Sequence, residues 1–173
     1  MNLSKFSDYA LRLLLLSAAR PGQLVTIREA AEIYGISQAH LKKVVTLLTR
    51  KGYLTASRGH GGGFTLGRPA SEIGLGAVLR DTESGFDLVQ CYGDPTACII
   101  TPVCRLPRVF DQALAAFFDV LDRYTLQDFM RADGGFPMLA ISRPPGARTA
   151  HDRDRQGRAE ARTDQTAPPR RSR

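Results

Sequence analysis

The chain has 173 residues, 43% of them apolar and 24% charged, with three Cys, no Trp and a formal net charge of +7. That is room for one ordinary domain with an accessory element; the chain has no apolar run near the roughly 20 residues of a spanning helix, no signal-peptide order and too few cysteines for a secreted disulfide scaffold, so a soluble cytoplasmic protein without a membrane partner is expected. Residues 1–70 carry ten Lys/Arg against three Asp/Glu, residues 71–140 five against ten, and residues 141–173 nine against four, which suits a surface for a polyanion beside a part that is not.

Residues 4–19 read as a helix: Ser4 is a cap, and Phe6, Tyr9, Leu13 and Leu16 recur at helical spacing until Pro21-Gly22 ends it. Thr26-Ile27-Arg28-Glu29 is a capping box opening a second, short helix with Ala30, Ala31 and Ile33 inward. Gly35 interrupts, Ser37 caps again, and Leu41, Val44, Val45 and Leu48 form the stripe of a third helix closing near Gly52. Two such helices joined by a tight glycine-containing turn meet the requirement of a helix-turn-helix. Residues 53–56 and 64–66 then read as two short strands around the glycine-rich turn 57–63, a hairpin placed where a wing belongs. A further helix is expected from Ala70 to about Arg80, with Ile73, Ala77 and Val78 inward and weakened by Gly74 and Gly76.

Residues 91–104 form a loop holding all three cysteines, and residues 106–130 read as one helix of about 37 Å. Leu106, Phe110, Leu114, Phe117 and Leu121 run along one side of it, widened by Val109, Ala113, Val120 and Tyr124. A rod with so wide an apolar face in so small a protein calls for a partner, and a second copy is the commonest one. The tail from about Ser142 is rich in Arg, Pro, Gly, Ala and Asp and reads as disordered. The expected architecture is therefore mainly α: a winged helix-turn-helix DNA-binding domain over residues 1–82, a cysteine-containing loop at 83–105, a C-terminal dimerisation helix at 106–132 and a basic tail at 142–173.

On the third helix, Gln38 and His40 stand near the start, where base edges in a major groove are within reach. Lys42, Lys43, Arg50 and Lys51 suit phosphates, whose condensed counterions such charges release. At the wing tip, the glycines around Arg58 and His60 let either side chain enter a minor groove. The glycine run is not a nucleotide-phosphate loop: no Gly-Lys-Ser/Thr follows and no helix opens after it.

Cys91, Cys98 and Cys104 are separated by six and five residues, unlike the paired spacing of a structural zinc site, and no His lies in the loop. Soft thiolates on an irregular loop suit an iron–sulfur cluster; zinc, a thiol redox switch and buried structural cysteines also stand on chemistry alone. Three thiolates leave one coordination position for a weaker ligand or a small molecule. Metal binding and local folding are linked, so loss of a metal would release the loop beside the presumed dimer helix.

The segments 3–12, 34–37, 52–59 and 61–63, and above all Cys98-Ile99-Ile100-Thr101-Pro102-Val103-Cys104-Arg105-Leu106 and residues 121–128, resemble the winged-helix family of bacterial iron–sulfur transcription regulators that includes the cluster-assembly regulator IscR, and within it the nitric-oxide-sensing repressors. The resemblance covers about residues 1–130. It implies cluster ligands at Cys91, Cys98 and Cys104, with Asp8 of a partner subunit completing the coordination, and a 4Fe–4S cluster in preference to 2Fe–2S. It also implies a homodimer that represses from a palindromic double-stranded operator and lets go when nitric oxide reaches the cluster. The first cysteine gap leans toward an iron-responsive subgroup, and the absence of a histidine after Cys104 departs from the cluster-assembly subgroup. The alternative is an iron- or cluster-status regulator of the same fold. Outside it stand an iron–sulfur or thiol redox protein, lacking here any general acid/base pair or nucleotide fingerprint, and a scaffold that binds DNA non-specifically.

Overall fold

The computed structural model describes residues 2–130 apart from 58, 60, 93, 95 and 97. The tail at 142–173, the last residues of the expected dimerisation helix, and Arg58 and His60 of the wing tip therefore lie outside the described residues. Helix α1 (Lys5–Ala18) starts at Ser4, whose hydroxyl accepts from the Ser7 N–H. Helix α2 (Ile27–Tyr34) starts at Thr26, which accepts from the Glu29 N–H. The Glu29 carboxylate does not close the box in return; the Arg20 guanidinium takes it. Gly35 ends α2 in the left-handed region, φ 66°, and two residues later Ser37 caps helix α3 (Gln38–Arg50). A side chain with a Cβ would strain that turn.

Strands β1 (Leu54–Ser57) and β2 (Gly63–Leu66) form the antiparallel wing, Leu54 opposite Leu66 and Ser57 opposite Gly63. A third element joins it that the periodicity does not reveal: Val25 exchanges both backbone hydrogen bonds with Phe64, at 2.9 and 2.8 Å. The approach is so close that a Cβ on Gly63 would lie 2.6 Å from the Val25 carbonyl oxygen.

The helix expected from Ala70 is split. A 3-10 turn at Ala70–Glu72 is followed by helix α4 (Leu75–Thr82), with Gly74 as its N-cap. Ile73 and Val78 are buried as expected, but Ala77 is exposed and Leu79 takes the inward place. The long helix is likewise shorter. Helix α5 spans Leu106–Leu121, about 24 Å at 1.5 Å per residue, and a separate 3-10 turn at Leu126–Phe129 begins at a Thr125/Asp128 capping box. The break drives Leu126, fully buried, into the core; its N–H donates to the Ile73 carbonyl at 2.8 Å, and the Leu75 N–H donates to Tyr124 O at 3.0 Å.

The core gathers Leu13, Leu14 and Leu16 of α1, Leu41, Val44 and Leu48 of α3, Tyr53, Phe64, Ile73 and Val78. The architecture is mainly α, a winged helix-turn-helix with a two-stranded wing and a C-terminal helix. Helix α5 adds one buried side chain, Phe118. Its Leu106, Val109 and Val120 stay more than half exposed.

Candidate nucleic-acid interface and cysteine loop

Helix α3 turns Leu41, Val44, Val45 and Leu48 into the core, and the same rotation leaves Gln38, His40, Lys42, Lys43, Thr46 and Arg50 exposed. Inward packing thus produces an outward polar and basic face. Ser37 Oγ accepts from the His40 N–H and lies 3.0 Å from its Nδ1. The wing turn after Ser57 uses Gly59 and Gly61 at φ 108° and 83°, closed by the Gly62 N–H donating to Gly59 O at 3.0 Å.

Lys51 does not belong to this face. Its Nζ is held at 2.6 Å by Asp81 of α4, whose other oxygen accepts from the Tyr53 hydroxyl at 2.8 Å. The Arg68 guanidinium lies over the Tyr53 ring, 4.4 Å from its centre. Burial and the hydrogen bond to Asp81 push the Tyr53 hydroxyl up to about 12. Burial pushes the Asp81 carboxyl up, but the hydrogen bonds from Lys51 and Tyr53 outweigh it and hold the group below the usual carboxylate range. A group depressed on folding stabilises above its unfolded pKa, near ~4, and loses that contribution as pH falls through its folded value. Asp81→Asn is therefore expected to lower the melting temperature at pH 6. The difference from the parent protein should close as melts are taken toward pH 3; a constant gap would contradict the assignment.

Asp81 is one of four successive residues that each tie α4 to a different place. Arg80 donates to both carboxylate oxygens of Asp122 at the end of α5, at 2.7 Å each, and stacks 4.1 Å from the Phe118 ring centre. Thr82 Oγ1 donates to Val78 O at 2.9 Å and so receives the buried Ser7 hydroxyl at 2.8 Å. Glu83 accepts from the Ser4 N–H at 2.8 Å. None of these ties is legible in the sequence: neighbouring polar residues on a helix do not announce partners 28 to 79 positions away.

The cysteine loop begins directly after this joint. Cys91 sits in a 3-10 turn at Gln90–Tyr92, and the Tyr92 hydroxyl donates to Pro107 O at 2.9 Å, fastening the turn to the first residues of α5. Cys98 O accepts from the Thr101 N–H at 3.1 Å, and the Cys104 N–H donates to Thr101 O at 3.3 Å. Cys91, Cys98 and Cys104 are free thiols, with Cys98 exposed. Thr101 Oγ1, between Cys98 and Cys104 in the chain, is buried and finds no hydrogen-bond partner among the described residues.

Among the described residues no three His, Cys, Asp or Glu side chains gather at metal-binding distance. The donor chemistry of the loop, three free thiols on one turn-rich segment, fits a thiophilic centre. Asp8 is not brought to the cysteines of its own chain. Its carboxylate accepts from Arg12 Nε at 2.9 Å and pairs with Arg12 Nη2 at 2.8 Å.

A cavity of about 570 Å³ between the end of α1 and β2 is lined by Arg20, Arg68 and Gln127, away from these cysteines, and holds no pair of carboxylates for acid–base chemistry. Among the described residues no helix is long and apolar enough to cross a membrane.

Residues 3–132 match the family described as Rrf2, iron-dependent transcriptional regulator. The chain is 44% identical over 133 residues to the HTH-type transcriptional regulator NsrR of Bacillus subtilis (strain 168), covering 76% of this chain and 91% of that protein. It is 46% identical over 133 residues to NsrR of Oceanobacillus iheyensis, covering 76% and 90%. Among solved structures, the oxidised form of Staphylococcus aureus CymR superposes with a TM-score of 0.58 at 27% identity, covering 73% of this chain and 93% of that one.

Proposed function

We propose, for a chain that belongs to the Rrf2 family of transcriptional regulators, that iron or cluster status governs its hold on a palindromic operator. The chain is a DNA-binding regulator and not an enzyme. The observation that carries the proposal is that three free thiols occupy the one segment joining the DNA-reading domain to α5, whose apolar face the single chain leaves uncovered.

In this reading Gln38 and His40 contact base edges, Lys42, Lys43 and Arg50 neutralise phosphates, and Arg58 and His60 extend the contact from the wing. Leu106, Val109 and Val120 pack against a second copy, so that two reading helices meet two half-sites of one duplex. Cys91, Cys98 and Cys104 would hold an iron–sulfur cluster, 4Fe–4S in preference to 2Fe–2S, with Asp8 supplied across the dimer after leaving Arg12. When bound, such a cluster supplies a redox-active iron centre that also reacts with nitric oxide. Tyr92 couples the first cysteine to the start of α5, and Arg80 and Asp81 couple α4 to α5 and to the end of α3. These contacts give the loop a mechanical route to the spacing of the DNA-reading heads.

A second reading makes nitric oxide the signal, with release of a repressed operator; it is supported by the resemblance of residues 98–106 and 121–128 to the nitric-oxide-sensing repressors of this family. Both readings are tested on full-length protein purified without oxygen and assayed for iron and sulfide. Binding to a duplex selected from a randomised pool is then followed during stepwise addition of an iron chelator or of nitric oxide. Release by chelation supports the first reading, and release by nitric oxide before iron is lost supports the second. Release by thiol oxidation in protein without iron would overturn both. Lys43→Ala is expected to weaken binding to every duplex similarly and to reduce the salt slope by about 1. A loss confined to one base position would remove Lys43 from the phosphate contacts.

A further inference from the structure

We infer that Ser37 fixes the His40 ring with its Nε2–H outward, which makes His40 a reader of acceptor base edges, guanine above all. The inference rests on the DNA-binding reading above. Ser37 Oγ caps α3 by accepting from the His40 N–H. One lone pair of the hydroxyl is thereby engaged, and its proton needs an acceptor. His40 Nδ1, 3.0 Å away, is such an acceptor.

The surroundings favour this direction over the reverse. The first turn of α3 already presents unpaired backbone N–H groups and the positive end of the helix dipole. An Nδ1 lone pair complements that field, whereas an Nδ1–H would add one more donor to a crowd of them. A neutral imidazole with Nδ1 as acceptor carries its proton on Nε2. His40 is exposed at the third position of the helix, so that N–H faces away from the protein.

The consequence is a directional readout. In the major groove guanine offers two acceptors, N7 and O6, side by side; adenine pairs one acceptor with an amino donor, and cytosine offers an amino donor alone. An outward N–H is satisfied by guanine and opposed by the amino group of cytosine. Gln38, two residues before it, presents an amide that both donates and accepts and makes no such choice. Ser37 is then a positioning residue: it touches no base, but it decides which one His40 prefers.

The test is selection of duplexes from a pool randomised across the half-site, using the full-length protein and its His40→Ala, Ser37→Ala and Ser37→Thr variants. The parent protein is expected to enrich guanine at one position in each half-site. His40→Ala should lose about ten-fold of that preference at that position and leave the other positions unchanged. Ser37→Ala should relax the same position several-fold because the ring is free to turn and change tautomer, and Ser37→Thr should restore it by keeping the hydroxyl. The inference is overturned if His40→Ala retains the guanine preference, if the position governed by His40 selects cytosine, or if Ser37→Ala matches the parent protein while folded by circular dichroism. Failure of every protein to enrich any sequence would instead strike the DNA-reading function itself.

Discussion

Phe64→Ala is expected to lower the stability of the fold by about 3–5 kcal/mol, the usual loss for a large aromatic side chain removed from a core. Phe64 is 1% exposed, packs with α1 and α3, and holds the wing to the body through its two backbone bonds to Val25. Relaxation into the vacated space is restricted, because β2 already approaches the 24–25 backbone so closely that Gly63 has no room for a Cβ. Urea unfolding followed by circular dichroism should show the midpoint fall with the slope preserved. A loss below 1 kcal/mol would mean that the wing base is not part of the cooperative core.

Cys98→Ala is expected to do the opposite: nothing to the core, everything to the metal. Cys98 is exposed on the loop and contributes no side chain to the buried cluster, so the unfolding midpoint should move by less than about 0.5 kcal/mol, as surface substitutions do. Protein purified without oxygen should contain neither iron nor sulfide, and its DNA binding should ignore both chelator and nitric oxide. A full complement of iron and sulfide in this variant would remove Cys98 from the ligand set. Cys91→Ala and Cys104→Ala are expected to behave alike toward the metal.

The parts of the fold legible in the sequence are those decided within a few residues. Ser4, Thr26 and Ser37 all cap the helices they were expected to start, because a cap is a contact between a side chain and an N–H three positions away. The wing followed from two short apolar runs around glycines. The Val25 bridge is not legible in the sequence because a single bridging residue has no period. The overlong helix has a different cause: apolar residues continue in phase past Leu121, and only the Thr125-to-Asp128 capping box marks where the chain breaks to bury Leu126.

The basic face of α3 was legible because inward and outward positions follow from one rotation. Lys51 was not, since its partner Asp81 lies thirty residues on. The thiols were legible as chemistry, but spacing alone does not gather them into one place. Arg58 and His60 lie outside the described residues.

The run from Arg80 to Glu83 has a further consequence for how this protein tolerates change. Successive residues on a helix diverge by about 100°, so these four side chains fan out around the axis and meet α5, the end of α3, α1 and its cap in turn. Exchanging one residue type loosens one tie. Inserting or deleting a single residue shifts the whole fan by that angle and points every side chain at the wrong neighbour, so counting matters more than chemistry in this segment.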